Sequence, residues 1–269
     1  MELPIASSPA FLYTGGRPFD PEQPAVVLIH GAGHDHSVWN FPARRLAHHG
    51  FSVLAPDLPG HGRSGGVALA SIESLADWIG ALLDAVGVER AALVGHSMGS
   101  LVALHAAARM PRRTDRLVLI GSAVPMPVAA PLLSAARDAP STAYAMINQW
   151  SYTPASQLGA SAMPGTSLTA MNLRLMERQA DGVLATDLAA CDAYQDGLEA
   201  AAKVACPTLL LCGERDQMTP RRAAKPLHDA LMNVPGGARV AVVPQAGHAM
   251  IAEAPDAVGE SIRSFLDGK

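Results

Sequence analysis

Gly95-His96-Ser97-Met98-Gly99 sets a serine between glycines in the pattern G-x-S-x-G, right after the apolar run Ala91-Ala92-Leu93-Val94. A strand that turns directly into a helix exposes the central side chain on a strained corner, and the small flanking residues relieve the crowding. A serine there also sits at a helix start, where free N–H groups and the dipole favour negative charge. An alcohol is a poor nucleophile at neutral pH, so it needs a base, and the base needs an orienting acid. Of the 10 histidines, His248 follows the last strand-like run in Gln245-Ala246-Gly247-His248. Asp216 follows the preceding run in Gly213-Glu214-Arg215-Asp216. The order Ser97, Asp216, His248 is the one such an elbow requires. Glu214 is the rival acid, two residues upstream at a more solvated position. Stabilising an oxyanion takes two preorganised donors, and the backbone N–H groups of Met98 and of Ala32 in His30-Gly31-Ala32-Gly33 are the candidates. Gly31, His96, Met126, Trp150 and Met250 are the expected substrate contacts.

Placing these residues together requires strands that end on one edge. Short β-branched runs at Ala25–His30, Phe51–Pro56, Arg90–Gly95, Arg116–Gly121, Pro207–Gly213 and Ala238–Val243 alternate with helical patterns. That alternation predicts a mostly parallel sheet with helices on both faces. Ser71–Val86 has apolar residues at helical spacing, with Ser71 as N-cap and Gly87 as the stop. Ser100–Met110 and Ala254–Leu266 read as further helices. From about 122 to 196 the rhythm breaks. Between Arg116 and Arg174 only Arg137 and Asp138 are charged, and the segment holds Tyr144, Trp150 and Tyr152. A nearly uncharged insertion is unlike a solvated linker, and it suits a lid with an adaptable apolar wall.

The 269 residues suffice for one large α/β domain or two small ones, and 49% hydrophobic residues exclude disorder. A net charge of −4 gives no electrostatic case for nucleic acid or an anionic membrane. Cys191, Cys206 and Cys212 are too few for a disulfide framework and suit buried thiols in a cytoplasmic protein. The first residues lack the basic and apolar regions of a secretory signal. Leu117 to Ala136 is an uncharged run long enough to span a bilayer, but Pro125, Pro127 and Pro131 interrupt it, so it reads as a core strand and a loop. Gly60-His61-Gly62-Arg63-Ser64-Gly65 matches G-x-G-x-x-G formally, yet no helix opens on its glycines, which argues against dinucleotide binding. The spacing of His30, His34, Asp35 and His36 fits no zinc pattern.

The chain resembles an α/β-hydrolase-fold enzyme over nearly its whole length, from His30-Gly31 to the C-terminal helix. Besides the elbow, the resemblance rests on Asp57-Leu58-Pro59-Gly60-His61-Gly62-Arg63-Ser64, on Gly213, Asp216 and Thr219-Pro220, and on Gly247-His248. It implies a Ser97–His248–Asp216 triad, an oxyanion hole from Ala32 and Met98, and a helical cap inserted after the strand that ends near Gly121. The core domain is then 1–121 with 197–269, and the cap is 122–196. A serine nucleophile excludes the branches that attack through aspartate and leaves acyl chemistry. The expected reaction is hydrolysis of a small-to-medium, largely uncharged carboxylic ester, lactone or thioester, with no metal or organic cofactor. The low charge of the insertion is the reason for an uncharged substrate, although Arg137, Arg174 and Arg178 could serve an acid group. The same triad also suits carbon–carbon hydrolysis of ring-cleavage products, cofactor-free perhydrolysis or acyl transfer, and the fold suits a non-catalytic receptor. Relatives of the carbon–carbon class usually carry an aromatic after the histidine, where Ala249-Met250 stand here. The expected partner is a small molecule, with no nucleic acid and no membrane; a homodimer is not readable from the sequence.

Overall fold

Every strand in the middle of the sheet is apolar on both faces. The computed structural model describes residues 1–161 and 165–268. Its strands are β1 (Glu2–Ile5), β2 (Ser8–Tyr13), β3 (Ala25–Ile29), β4 (Ser52–Pro56), β5 (Ala91–His96), β6 (Thr114–Ile120), β7 (Thr208–Gly213) and β8 (Arg239–Val243). They form one 8-stranded sheet in the order β1-β2-β4-β3-β5-β6-β7-β8. β2 runs antiparallel to β1 and β4, and all other pairings are parallel. The six expected strands are present within a residue or two. The β1–β2 hairpin is an addition. Its strands are short and carry Pro4 and Pro9, residues that sheets tolerate only at edges, which masks the strand signal.

The helices are α1 (Asn40–Ala47), α2 (Ile72–Ala85), α3 (Met98–Arg109), α4 (Ala130–Asp138), α5 (Pro140–Ser151), α6 (Pro154–Gln157), α7 (Leu168–Glu177), α8 (Val183–Ala193), α9 (Gly197–Lys203), α10 (Lys225–Ala230), α11 (Met250–Glu253) and α12 (Pro255–Leu266). Side chains alternate across a strand, so successive residues feed opposite cores. Val27, Ile29, Leu93, Leu117 and Leu119 pack with α2, α3, α9 and α10. Val26, Leu28, Val94, Val118 and Ile120 pack with α1, α11 and α12. Ser71 caps α2 by accepting from the Ser74 N–H at 3.1 Å.

Between β6 and β7 the chain leaves the sheet for α4 to α9. Leu132, Ala136, Ala143, Ile147, Met176, Leu184 and Leu188 form a third, smaller apolar cluster there, and Ala32 of the loop after β3 packs against it. The uncharged run from Leu117 divides into the end of β6, a proline-bearing loop and the start of α4. Among the described residues no helix is long and apolar enough to cross a membrane. The three cysteines are buried and free.

Candidate active site

The corner between β5 and α3 is held by backbone contact that leaves no room for a Cβ on either flanking glycine. A Cβ on Gly95 would stand 2.0 Å from the Gly99 carbonyl oxygen, and one on Gly99 would stand 2.3 Å from that of Ile29. Ser97 between them adopts φ 53° and ψ −121°, a conformation that L side chains rarely take. Its N–H donates to the Ile120 carbonyl at 3.0 Å, which ties the corner to β6. Met98 is the first residue of α3, so its N–H is among those with no acceptor inside the helix.

His248 lies in the loop between β8 and α11, and Asp216 follows β7; both are buried. Nδ1 of His248 donates to Asp216 Oδ2 at 2.9 Å, which leaves the lone pair on Nε2. Nε2 is buried and has no hydrogen-bond partner. Asp216 Oδ1 accepts from the N–H groups of Met218 (2.9 Å) and Thr219 (2.8 Å), and Oδ2 accepts from Thr219 Oγ at 2.7 Å. Burial pushes this carboxyl up, but His248 and the Thr219 donors outweigh it and hold the group well below the usual carboxylate range. Glu214, the rival acid, is exposed and accepts from the Gln245 N–H at 2.7 Å instead.

The histidine loop is clamped on both sides. The Gly247 N–H donates to Glu253 at 2.6 Å, and the Ala249 N–H donates to the Ser151 carbonyl at 2.9 Å. His96 Nε2 donates to the His248 carbonyl at 2.9 Å, and the two rings lie 4.9 Å apart. Burial, helped by His248, pushes His96 down to about 3, so it is neutral. Gly121 has φ +56°, and a Cβ there would come within 3.1 Å of the His248 ring. Gly31 presses the opposite side, its missing Cβ lying 3.2 Å from Ser97 Cβ. The loop His30–Gly33, the elbow and the Asp216 and His248 loops all stand at the C-terminal edge of the parallel strands, where α/β sheets place their sites.

A cavity of about 680 Å³ adjoins this edge, lined by His34, His96 and His248 and walled by Tyr152, Leu168, Met171, Leu175 and Ile251. Its apolar wall is shared between the insertion, with Tyr152, Leu168, Met171 and Leu175, and the rest of the chain, with Val38, Phe41 and Ile251. Of the five expected contacts His96 lines this cavity and four do not, Gly31 lying against Ser97 and His96. Met250 is fully buried and packs among the core residues beneath the sheet edge. Met126 is buried against the face that carries α2 and α3, and Trp150 packs on the insertion's own cluster. An adaptable Met and aromatic wall suits the composition of the insertion, but packing turns Met126 and Trp150 into apolar clusters.

The cavity also holds His34 and Asn172, whose pairing no sequence spacing marks. Asn148 Nδ2 donates to the Thr169 carbonyl, and Asn172 Nδ2 donates to Asn148 Oδ1 at 2.8 Å. That leaves Asn172 Oδ1 to accept from His34 Nε2 at 2.9 Å, so the His34 proton sits on Nε2 and its Nδ1, without a partner, is an acceptor. Burial, against the pull of the Asn172 bond, lowers His34 to about 4. The residues concerned are far apart in sequence and no local motif marks them. Asp35, His36 and Asp57 bring potential ligand atoms within 4.8 Å of one another. They are engaged already, Asp57 by the His36 ring and the N–H groups of His36 and Arg63, and Asp35 by Arg178, Gln179 and Ser37. The glycine-rich segment 60–65 is a loop with no helix opening until Ile72.

Residues 26–260 match the model of the alpha/beta hydrolase family. The chain belongs to this family. Another relative, a pimeloyl-[acyl-carrier protein] methyl ester esterase of Neisseria meningitidis, is 32% identical over 268 aligned positions that cover 90% of this chain and 77% of that one. An uncharacterized protein of Mycobacterium tuberculosis is 41% identical over 100 residues, 37% of this chain; the match spans only 29% of that relative's length. Among solved structures, the enol-lactonase from Burkholderia xenovorans LB400 superposes with a TM-score of 0.86 at 23% identity, over 99% of this hydrolase-family chain and 100% of that one. That likeness is one of fold.

Proposed function

We propose that this alpha/beta hydrolase-family protein is a serine hydrolase that cleaves a small-to-medium, largely uncharged carboxylic ester, lactone or thioester through an acyl-enzyme on Ser97. The observation that carries the reading is the buried Asp216–His248 pair, whose free Nε2 belongs to a ring packed against His96, the neighbour of the strained Ser97. The Neisseria esterase, similar over most of its length, supports ester chemistry.

In this reading His248 Nε2 takes the Ser97 hydroxyl proton as Oγ bonds to the substrate carbonyl carbon. The N–H groups of Ala32 and Met98 hold the resulting oxyanion. Asp216, kept ionised by its donors, stabilises the imidazolium. When the tetrahedral adduct collapses, the bond to the leaving oxygen (sulfur in a thioester) breaks and His248 returns the proton to it. Water then gives a proton to the same Nε2 as its oxygen bonds to the acyl carbon; collapse of this second adduct breaks the bond to Ser97 Oγ, Nε2 returns the proton to Oγ, and the acid leaves. Residues 122–196 act as a cap over the substrate. The cavity is of the size that takes a medium acyl chain, and its two arginines are already paired, Arg178 with Asp35 and Arg174 with Glu177.

The test is a p-nitrophenyl ester series from acetate to decanoate, with Ser97→Ala alongside. Turnover with a chain-length optimum is expected, falling roughly 10⁴- to 10⁶-fold in the variant. Turnover that survives in Ser97→Ala, or none in the wild type, would end the reading.

A further inference from the structure

Resting on that reading, we propose that Asp187 of helix α8 is a positioning residue. It fixes the Ala32–Gly33 peptide from the insertion side, so that the inserted helices help to aim the Ala32 N–H.

The preceding peptide is pinned from the core. The Gly31 carbonyl accepts from His30 Nδ1 at 2.9 Å and from the His34 N–H at 3.3 Å. Leu58 N–H donates to His30 Nε2 at 3.1 Å, which fixes the tautomer with its proton on Nδ1. In a trans peptide the N–H points opposite to the carbonyl. Holding Gly31 O toward His30 therefore turns the Ala32 N–H away from it. One fixed peptide still leaves rotation about the Ala32 Cα. The Gly33 N–H closes that freedom by donating to Asp187 Oδ2 at 2.8 Å. Gly33 is in the left-handed region (φ +64°), and a Cβ there would stand 3.0 Å from Leu184 Cδ1, so α8 lies directly on this loop. The Ala32 side chain packs on the insertion's apolar cluster.

A carboxylate buried beside a developing oxyanion would oppose the reaction unless neutralised. His61 supplies the compensation. Its Nε2 bonds Asp187 Oδ2 at 2.8 Å and its Nδ1 bonds the Pro59 carbonyl at 3.0 Å. The Pro59 carbonyl can only accept, so Nδ1 carries a proton, and although burial lowers the His61 pKa, Asp187 and the Pro59 carbonyl outweigh it and push the ring up. Both side chains are fully buried.

The experiment compares Asp187→Ala and Asp187→Glu with the wild type and with Leu188→Ala. The Ala side chain removes the acceptor from Gly33. The Glu side chain keeps a carboxyl beside His61 but displaces it from Gly33. Leu188→Ala loosens the same helix without touching the hydrogen bond. For each, kcat and KM on the best p-nitrophenyl ester, the rate of Ser97 phosphonylation by a fluorophosphonate, and the Tm are measured well below the melting point. Both Asp187 variants should lose about 10- to 100-fold in kcat and in phosphonylation rate with KM within threefold, because a misaimed donor acts at the transition state. Leu188→Ala should lower Tm and keep kcat. Retention of kcat within twofold in either folded Asp187 variant overturns the proposal. Failure of both to fold overturns it equally, since Asp187 would then be a stability residue. A wild type silent toward esters and probe sinks the serine-hydrolase reading itself, whereas active wild type with active variants sinks this proposal alone.

Discussion

Asp216 illustrates how neighbours, not residue type, decide which carboxyl meets a buried histidine. Glu214 and Asp216 sit two positions apart, and either could follow β7 toward a histidine. Only Asp216 turns inward, where Met218, Thr219 and His248 satisfy both its oxygens. Asp216→Asn should therefore reduce kcat by about 10⁴-fold, through the wrong imidazole tautomer. Glu214→Gln should stay within twofold, because its side chain only receives a backbone N–H at the surface. Steady-state kinetics of the two variants checks the assignment, and the reverse ranking would move the acid to Glu214. Thr219, which reaches Asp216 Oδ2 at 2.7 Å and lies 3.1 Å from His248 Nδ1, was visible only as part of a family pattern. Its role follows from the turn that Asp216 caps.

Among the elements, the insertion meets the core through acids that the sequence shows as ordinary loop residues. Asp35, after β3, is buried and receives Nη2 of Arg178 at 2.6 Å and Nε2 of Gln179 at 3.0 Å from the end of α7. Burial pushes Asp35 up, but the Ser37 donors and Arg178 reverse this and bring it from 3.8 to about 2. A carboxyl whose folded pKa is depressed contributes stability above its unfolded value and loses it as pH falls toward the folded one. The shift corresponds to about 2 kcal/mol. Asp35→Asn should thus destabilise by about that amount at pH 6, and the gap to wild type should shrink below pH 4 and be about half gone near pH 3. Urea unfolding of both proteins across that range measures it. A gap constant with pH would show that the ionised form is not what holds α7.

At the scale of the whole molecule, the insertion is woven into the sheet edge and is not a free lid. Gly33 to Asp187, His61 to Asp187, Asp35 to Arg178 and Ala249 to Ser151 all cross from one to the other. One cooperative transition is expected. In a Trp39→Phe, Trp78→Phe background the remaining Trp150 reports on the insertion, and its fluorescence midpoint should coincide with that of far-UV circular dichroism. A separate, earlier Trp150 transition would mark an independently opening lid. The physical division between what was legible and what was not is one of range. Residue order alone determined the alternating strands and helices, the elbow at Ser97 and the succession of Asp216 and His248, because strand alternation, helix spacing and glycine-flanked turns are local rules. It hid the β1–β2 hairpin, where Pro4 and Pro9 obscure an edge pairing. Only the tertiary structure decided that Met126, Trp150 and Met250 turn into apolar clusters while Tyr152 and Met171 line the cavity. It alone brought Asp187 onto Gly33, 154 positions away, because periodicity says which face of a helix is apolar and nothing about what that face will meet.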